Sequence, residues 1–391
     1  MSTTSLPQSP STSDPHAPQP FVKEGSDWTA HFRTSDPERK LDINLLHTLV
    51  HDSVVCCVRF SPDGTYLATG SNHNAQVYSV STGEKIWTLP HVTLTPPHAN
   101  APTEDLYVRC LCFSPDGEYL ATGAEDGVVR IWNTHTHTLI STLIGHIGEI
   151  YTTNFSPNGR WLVSGSNDAT VRVWPVVSAT GQSLFPQTEV VVLSDERDEN
   201  VADTPNENGA ISSLAISPSS RFIATGAIDN QNLIRIWDLG SGRIVARLAG
   251  HTDSVYSMVF TQDGTQLVSG GLDKSVRYWN VSALGLLPVV NGVDRGEGAG
   301  EVQCVCVWTD TGFDDYVLSV ALSHGVGALQ WVIAASKDRC VRFRMLPDEC
   351  EVTVKGHHNS VISVDASPVG GIFATGSGDW GALIWSYTRL R

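Results

Sequence analysis

From Leu41 onward the chain is written in short apolar runs separated by turns. Val54-Val55-Cys56-Cys57-Val58-Arg59-Phe60 is followed by Ser61-Pro62-Asp63-Gly64, and then by Tyr66-Leu67-Ala68-Thr69. Runs this short, rich in β-branched residues and bounded by turn residues, predict β-strands, not helices. Pro at the second and Gly at the fourth turn position suit a tight strand-to-strand reversal. The turn recurs as Ser114-Pro115-Asp116-Gly117 and Ser156-Pro157-Asn158-Gly159, with weaker copies at Ser217-Pro218, Gln262-Asp263-Gly264 and Ser367-Pro368.

A longer period lies over the strands. His146, Asp168 and Trp174 recur as His251, Asp273 and Trp279, and again as His357, Asp379 and Trp385, with His and Asp 22 residues apart each time. Aligning on the Asp gives seven units, marked by His73 (a substitute), Asp126, Asp168, Asp229, Asp273, Asp338 and Asp379. Each supplies about four short strands, too few to bury both faces alone, so the fold class is all-β, with seven sheets packed radially in a closed ring. After Asp379 only the strand Ala382 to Tyr387 remains, while a strand over residues 41–50 is left over at the start. That strand is expected to complete the last sheet and close the ring, so deleting it should destabilise the whole domain. Three insertions, Pro90–Thr103, roughly Pro175–Asn208 and roughly Ala283–Val302, read as solvated loops and not as domain boundaries.

The division is therefore 1–40, a tail and rim segment, and 41–391, the ring. The first twenty residues hold five Ser, three Thr and five Pro, a composition expected to be disordered. Ser9-Pro10 reads as solvated tail before it reads as a phosphorylation site. Trp28 and Phe32 are expected to dock on the domain rim.

Composition narrows the function. Of 391 residues 41% are apolar and 17% charged, and the net charge is −16. That balance argues against direct nucleic-acid contact and against an anionic membrane surface. No basic-then-apolar signal opens the sequence. Tyr316 to Ala335 is uncharged and long enough to span a bilayer, but it falls in register with two strands of a unit. The eight cysteines include Cys110/Cys112 and Cys304/Cys306 without an accompanying His cluster, so they read as packing thiols in a reducing intracellular compartment, with no metal and no cofactor expected.

His146, Ser164 and Asp168, like His251, Ser269 and Asp273 or His357, Thr375 and Asp379, have the residue types of a hydrolytic triad. A catalytic site normally occurs once. A constellation that occurs three times, each with a Trp (Trp174, Trp279, Trp385), reads as a structural hydrogen-bond network. No enzyme activity and no small-molecule substrate is expected. In unit one, His73 and Tyr78 are expected to replace Asp and Trp. Unit two has Glu104 at the His position. Unit six has Tyr316 for His and Arg344 for Trp, and is expected to rely on packing and to be the softest. His135 and His137 read as a surface turn before a metal site, and the Pro-rich stretch 90–102 as a spacer. The usable surface is the narrow end of the ring, where Cys57, Tyr107, Arg109, Cys110, Glu125, Tyr151, Asn167, Tyr256, Lys337 and Asn359 are the expected partner-binding residues, since Tyr and Arg dominate binding hot spots.

The repeat resembles that of WD-repeat proteins, whose fold is the β-propeller, over about residues 41–391. A narrower likeness is to the fungal TUP-type members of the Groucho/TUP transcriptional corepressor family. His47-Thr48-Leu49 with Ser53 through Ser61, Asp105-Leu106-Tyr107-Val108-Arg109, Gly123-Ala124-Glu125-Asp126, Leu272-Asp273-Lys274, Ser336-Lys337-Asp338-Arg339 and Gly356 through Asp379 carry it. The resemblance implies a seven-bladed propeller that binds proteins: DNA-bound repressors, histone tails and histone deacetylases, in the nucleus. Those corepressors also carry an N-terminal helical segment that tetramerises, and the residues before the propeller here show no heptads. The rival class is a generic adaptor such as a ubiquitin-ligase substrate receptor, for which no docking helix is visible in residues 1–40.

Overall fold

The turns that punctuate the sequence are built from their own side chains. Ser61 Oγ donates to Asp63 Oδ1 at 2.5 Å and accepts from Tyr66 N at 2.9 Å, which locks the reversal, while Gly64 takes the left-handed φ of 70° that the fourth position requires. Ser114 with Asp116, Ser156 with Asn158 and Thr261 with Asp263 repeat the device in the next sheets. A computed structural model describes residues 21–33, 41–92, 105–176, 191–193, 209–287, 301–323, 330–345 and 351–389. The tail before residue 21, Glu104, Cys350 and most of the three insertions lie outside the described residues.

Seven antiparallel sheets result. Their inner strands are Cys57–Phe60, Val108–Phe113, Ile150–Phe155, Ala210–Ile216, Val255–Phe260, Val317–Leu322 and Val361–Ala366, and each neighbours the next around the ring. From each, the chain zigzags outward through the sheet. Sheet seven takes its fourth strand from Leu41–Val50, paired with Gly381–Arg389, so the N-terminal strand closes the seven-bladed propeller. Leu41 and Ile43 are fully buried there beside Phe343 and Tyr387.

Two elements differ from the sequence reading. Inside the second insertion, read as a solvated loop, Val191–Leu193 is the outer strand of sheet three. The insertion at 283–302 thus interrupts sheet five before its last strand, and the one at 175–208 is divided by the last strand of sheet three. In the rim segment, Phe21–Glu24 and Thr29–Arg33 form a hairpin that adds to Glu351–Lys355 and makes sheet six six-stranded. Ala30 and Phe32 alternate inward and are buried against the sheet, the period-2 pattern of a half-covered strand.

The seams between sheets share one device. Three residues before the end of each inner strand stand Cys57, Cys110, Thr152, Ser213, Ser257, Ser319 and Ser363. At six of these positions the side chain meets the backbone of the next inner strand. Val320 N donates to Ser257 Oγ at 3.0 Å, Val364 N to Ser319 Oγ at 3.1 Å, and Val58 N to Ser363 Oγ at 3.1 Å. Ser213 Oγ donates to Val255 O at 2.9 Å and the Cys57 thiol to Val108 O at 3.4 Å. The Cys110 thiol lies 3.7 Å from Ile150 O, and Asn154 Nδ2 donates to Leu214 O across the remaining seam. All seven seams are therefore bridged by a small polar group, which accepts from a backbone N–H in three of them and donates to a backbone carbonyl in the other four.

Candidate interaction face

In units three, five and seven the four residues of the repeat converge. His146 Nδ1 lies 2.8 Å from Asp168 Oδ2 and its Nε2 lies 2.8 Å from Ser164 Oγ, which also accepts from Trp174 Nε1 at 2.8 Å. The matching distances are 2.9, 2.7 and 2.8 Å for Asp273, His251, Ser269 and Trp279, and 3.0, 2.7 and 3.2 Å for Asp379, His357, Thr375 and Trp385. Each hydroxyl is fully buried, so no substrate can reach it. Burial alone raises the Asp273 carboxyl, but hydrogen bonds from His251, Ser275 and Thr252 N outweigh it and bring the group down to about 2.

The incomplete units are filled differently from expectation. In unit two the imidazole comes from His91, at the start of the first insertion. Its Nε2 lies 2.8 Å from Thr122 Oγ1, which accepts from Trp132 Nε1 at 3.0 Å. In unit one Tyr78 does stand at the Trp position, 3.3 Å from His51 Nε2, but His73 does not replace the Asp. It is exposed and takes the left-handed φ of 59° that Ala169, Lys274, Arg339 and Trp380 take one position after the Asp. The unit-one turn is one residue shorter and has no acid. In unit six the buried Phe313, and not Tyr316, stands four residues before the inner strand where His146 stands in unit three. That unit does not rely on packing alone. Arg342 pairs with Asp338 at 2.5 Å, and Arg344 with Asp310 at 2.6 Å and Glu351 at 3.2 Å. Arg130 holds Asp126 at 2.5 Å and Arg235 holds Asp229 at 3.0 Å in the same way. A guanidinium thus satisfies the acid in units two, four and six, where histidine satisfies it in three, five and seven. His137 is stacked on Trp87 with centroids 4.1 Å apart, which uses the ring as packing.

The narrow mouth is defined by a bulge. In sheets two to seven the pairing register of the inner strand slips at Arg109, Tyr151, Ser212, Tyr256, Leu318 and Ile362. An extra residue in one strand re-aims its side chain, and here all six, with Cys56 from sheet one, line a cavity of about 210 Å³ at the mouth. Leu318, Ile362 and Cys56 escaped the sequence reading. Their signal is position: each directly precedes the small polar residue of the seam.

The expected residues divide accordingly. Arg109, Tyr151 and Tyr256 belong to the bulge ring. Arg109 donates to Glu125 Oε1 through Nε at 2.9 Å, and its guanidinium lies 5.1 Å above the Tyr107 ring. Tyr107 N in turn donates to Glu125 Oε2 at 3.1 Å. The Tyr151 hydroxyl donates to Glu149 at 2.7 Å, and burial with that carboxylate pushes it up to about 12. Asn167, Lys337 and Asn359 are exposed on the loops around the ring, with Lys337 Nζ 4.7 Å above the Tyr316 ring. Cys57 and Cys110 are not at the surface. Their thiols fill the space left by Gly70 and Gly123, where a Cβ would meet sulfur at 2.5 and 2.7 Å. Burial pushes the Cys110 thiol up to about 12 and the Cys56 thiol to about 11, so both stay neutral.

Seven repeated units of this kind, three of them with the full hydrogen-bonded quartet, define a WD-repeat propeller. The WD domain, G-beta repeat pattern matches residues 43–79, 94–133, 137–175, 201–238, 242–280 and 348–386, and the chain belongs to that family. The stretch between the last two matches is unit six, the one with arginine pairs in place of the quartet. Over 95% of its length the chain is 43% identical to transcriptional repressor rco-1 of Neurospora crassa and 35% identical to general transcriptional corepressor TUP1 of Saccharomyces cerevisiae. Over a third of its length it is 42% identical to general transcriptional corepressor tupA of Dictyostelium discoideum. The chain spans 56% of the length of each of the first two relatives.

Proposed function

We propose that this chain is a non-catalytic interaction module of a transcriptional corepressor, acting in the nucleus, whose narrow face captures peptide segments of DNA-bound repressors or histone tails. The observation that carries the reading is the ring of bulged side chains. Six sheets spend a backbone irregularity on pointing Arg109, Tyr151, Ser212, Tyr256, Leu318 and Ile362 into one mouth. Leu318 and Ile362 offer an apolar wall, the two tyrosines offer rings with a polar tip, and Arg109 with Glu125 gives the site polarity. Aromatic and arginine side chains around an apolar centre are the usual makings of a binding hot spot. Tyr107, Asn167, Lys337 and Asn359 would set specificity at the rim. The names of the relatives support the corepressor role, and a net charge of −16 suits basic segments; histone deacetylases belong to the proposal as further partners.

Affinity capture from nuclear extract tests this, with the parent chain beside a Tyr256→Ala/Leu318→Asp variant and bound proteins identified by mass. Repressors or histones held by the parent and lost by the variant are the expected outcome. Equal capture by both forms would refute the face.

A further inference from the structure

The penultimate residue of each inner strand forms a second layer of the channel, nearer its wide end. Five of the seven positions hold Cys112, Asn154, Ala215, Val259 and Ala321, and the other two hold Arg59 and Asp365. Small residues opposite an arginine leave a gap. A cavity of about 370 Å³ opens there on the wide face, walled by the apolar ends of sheets three to six, with Arg59 and Asp365 as its charged side. Its volume lies in the range of small-ligand sites.

The two charges are unequally satisfied. Asp365 Oδ2 accepts from Phe60 N at 2.8 Å, and Oδ1 lies 3.4 Å from Arg59 Nη1. That single long contact is the one partner of Arg59 among the described residues, although a guanidinium carries five N–H donors in a planar fork. Its side chain is 38% exposed, into the channel. Arg59 also lines the narrow-mouth cavity, so it stands at the waist between the two openings. A guanidinium with free donors beside an apolar wall is suited to a carboxylate, which it binds in bidentate fashion.

We propose that the wide mouth of the channel is a second ligand site, which takes an apolar group bearing a carboxylate, gripped by Arg59 with its apolar body against Ala215, Val259 and Ala321. The site opens on the wide face and meets the narrow-mouth cavity at Arg59, Leu214 and Met258, which line both; the proposal does not rest on the reading of the narrow face. Calorimetric titration of the full chain with acetyl-Gly-Leu and acetyl-Gly-Phe as free acids, with their amides, and with 3-phenylpropanoate tests it. Free acids should bind at least about tenfold more tightly than the amides. Arg59→Gln should lose that difference, Arg59→Lys should keep part of it, and Asp365→Asn, which removes the competing carboxylate, should tighten acid binding. Thermal melts show that each variant is folded. Tighter binding of the dipeptide acids identifies a peptide C-terminus as the ligand, and tighter binding of phenylpropanoate identifies a free small acid. Equal binding of acid and amide, an unaffected Arg59→Gln variant, or no binding of any acid at millimolar concentration overturns the proposal.

Discussion

Trp28 stands edge-on to Trp385, ring centroids 5.8 Å apart and planes at 89°. Trp28 lies in the hairpin added to sheet six and Trp385 in the third strand of sheet seven, so the contact crosses a seam. Lys23 of the same hairpin donates to Asp42 and Asn44 of the closing strand at 2.8 and 2.5 Å. The hairpin therefore ties sheet six to the strand that closes the ring. Phe32 carries its apolar anchor. Phe32→Ala should cost about 3 kcal/mol, read as a lower denaturation midpoint. Hydrogen exchange should accelerate first at Val352–Lys355. Uniform acceleration around the ring, with no focus there, would count against a local role.

Ser363 is the acceptor at the seam where the last sheet meets the first. Ser363→Ala leaves Val58 N without its partner in a buried site and should cost roughly 1–3 kcal/mol. Ser363→Cys restores a weak acceptor and should recover part of the loss. A denaturant melt of the two variants that shows no ordering refutes the bridge.

Asp273 accepts from the His251 ring, Thr252 N, Ser275 N and Ser275 Oγ. Removing it in Asp273→Ala strands several donors at once and should cost roughly 1–3 kcal/mol or more. Asp126→Ala leaves a buried guanidinium unpaired and should cost at least as much, since breaking one partner of a buried ion pair is the more damaging loss. Urea midpoints of the pair give the order directly.

Burial holds His51 and His91 down to about 4, against 6.5 in an unfolded chain. Between those values the unfolded state binds protons that the fold refuses, so stability falls as pH drops from 6.5 to 4 and levels off below. The slope per histidine is at most about 1.4 kcal/mol per pH unit. The Asp273 contribution has the other profile. It is fully present above the unfolded value of 3.8 and is lost only as pH falls through about 2. Urea melts between pH 7 and 4 should show the loss, and His91→Gln should make it shallower; an identical slope in the variant would exclude His91 as a source.

The sheets and their count were legible because the acid recurs beside a short turn in six of the seven units, whichever cation satisfies it. The closing strand could be read because sheet seven runs out of chain. His91 was hidden because it opens the first insertion, whose length carries the imidazole away from the fixed 22-residue spacing. Phe313 was missed for the same reason, since spacing counted from Asp338 points to Tyr316. The mouth was half legible: Tyr and Arg drew notice by residue type, whereas Leu318 and Ile362 look like ordinary strand residues until the bulge turns them inward. The hairpin partner of sheet six could not be inferred, because four strands already complete a unit.

Closure by the strand Leu41–Val50 also fixes an order of events at the ribosome. Roughly 330 residues separate this strand from its partner Gly381–Arg389. At about 5–20 residues per second, the strand waits on the order of tens of seconds with Leu41 and Ile43 uncovered, holding open an edge that only Gly381–Arg389 pairs in the finished ring. Through that interval the nascent ring is an open arc, and the same N-terminal edge is available to any other strand within reach.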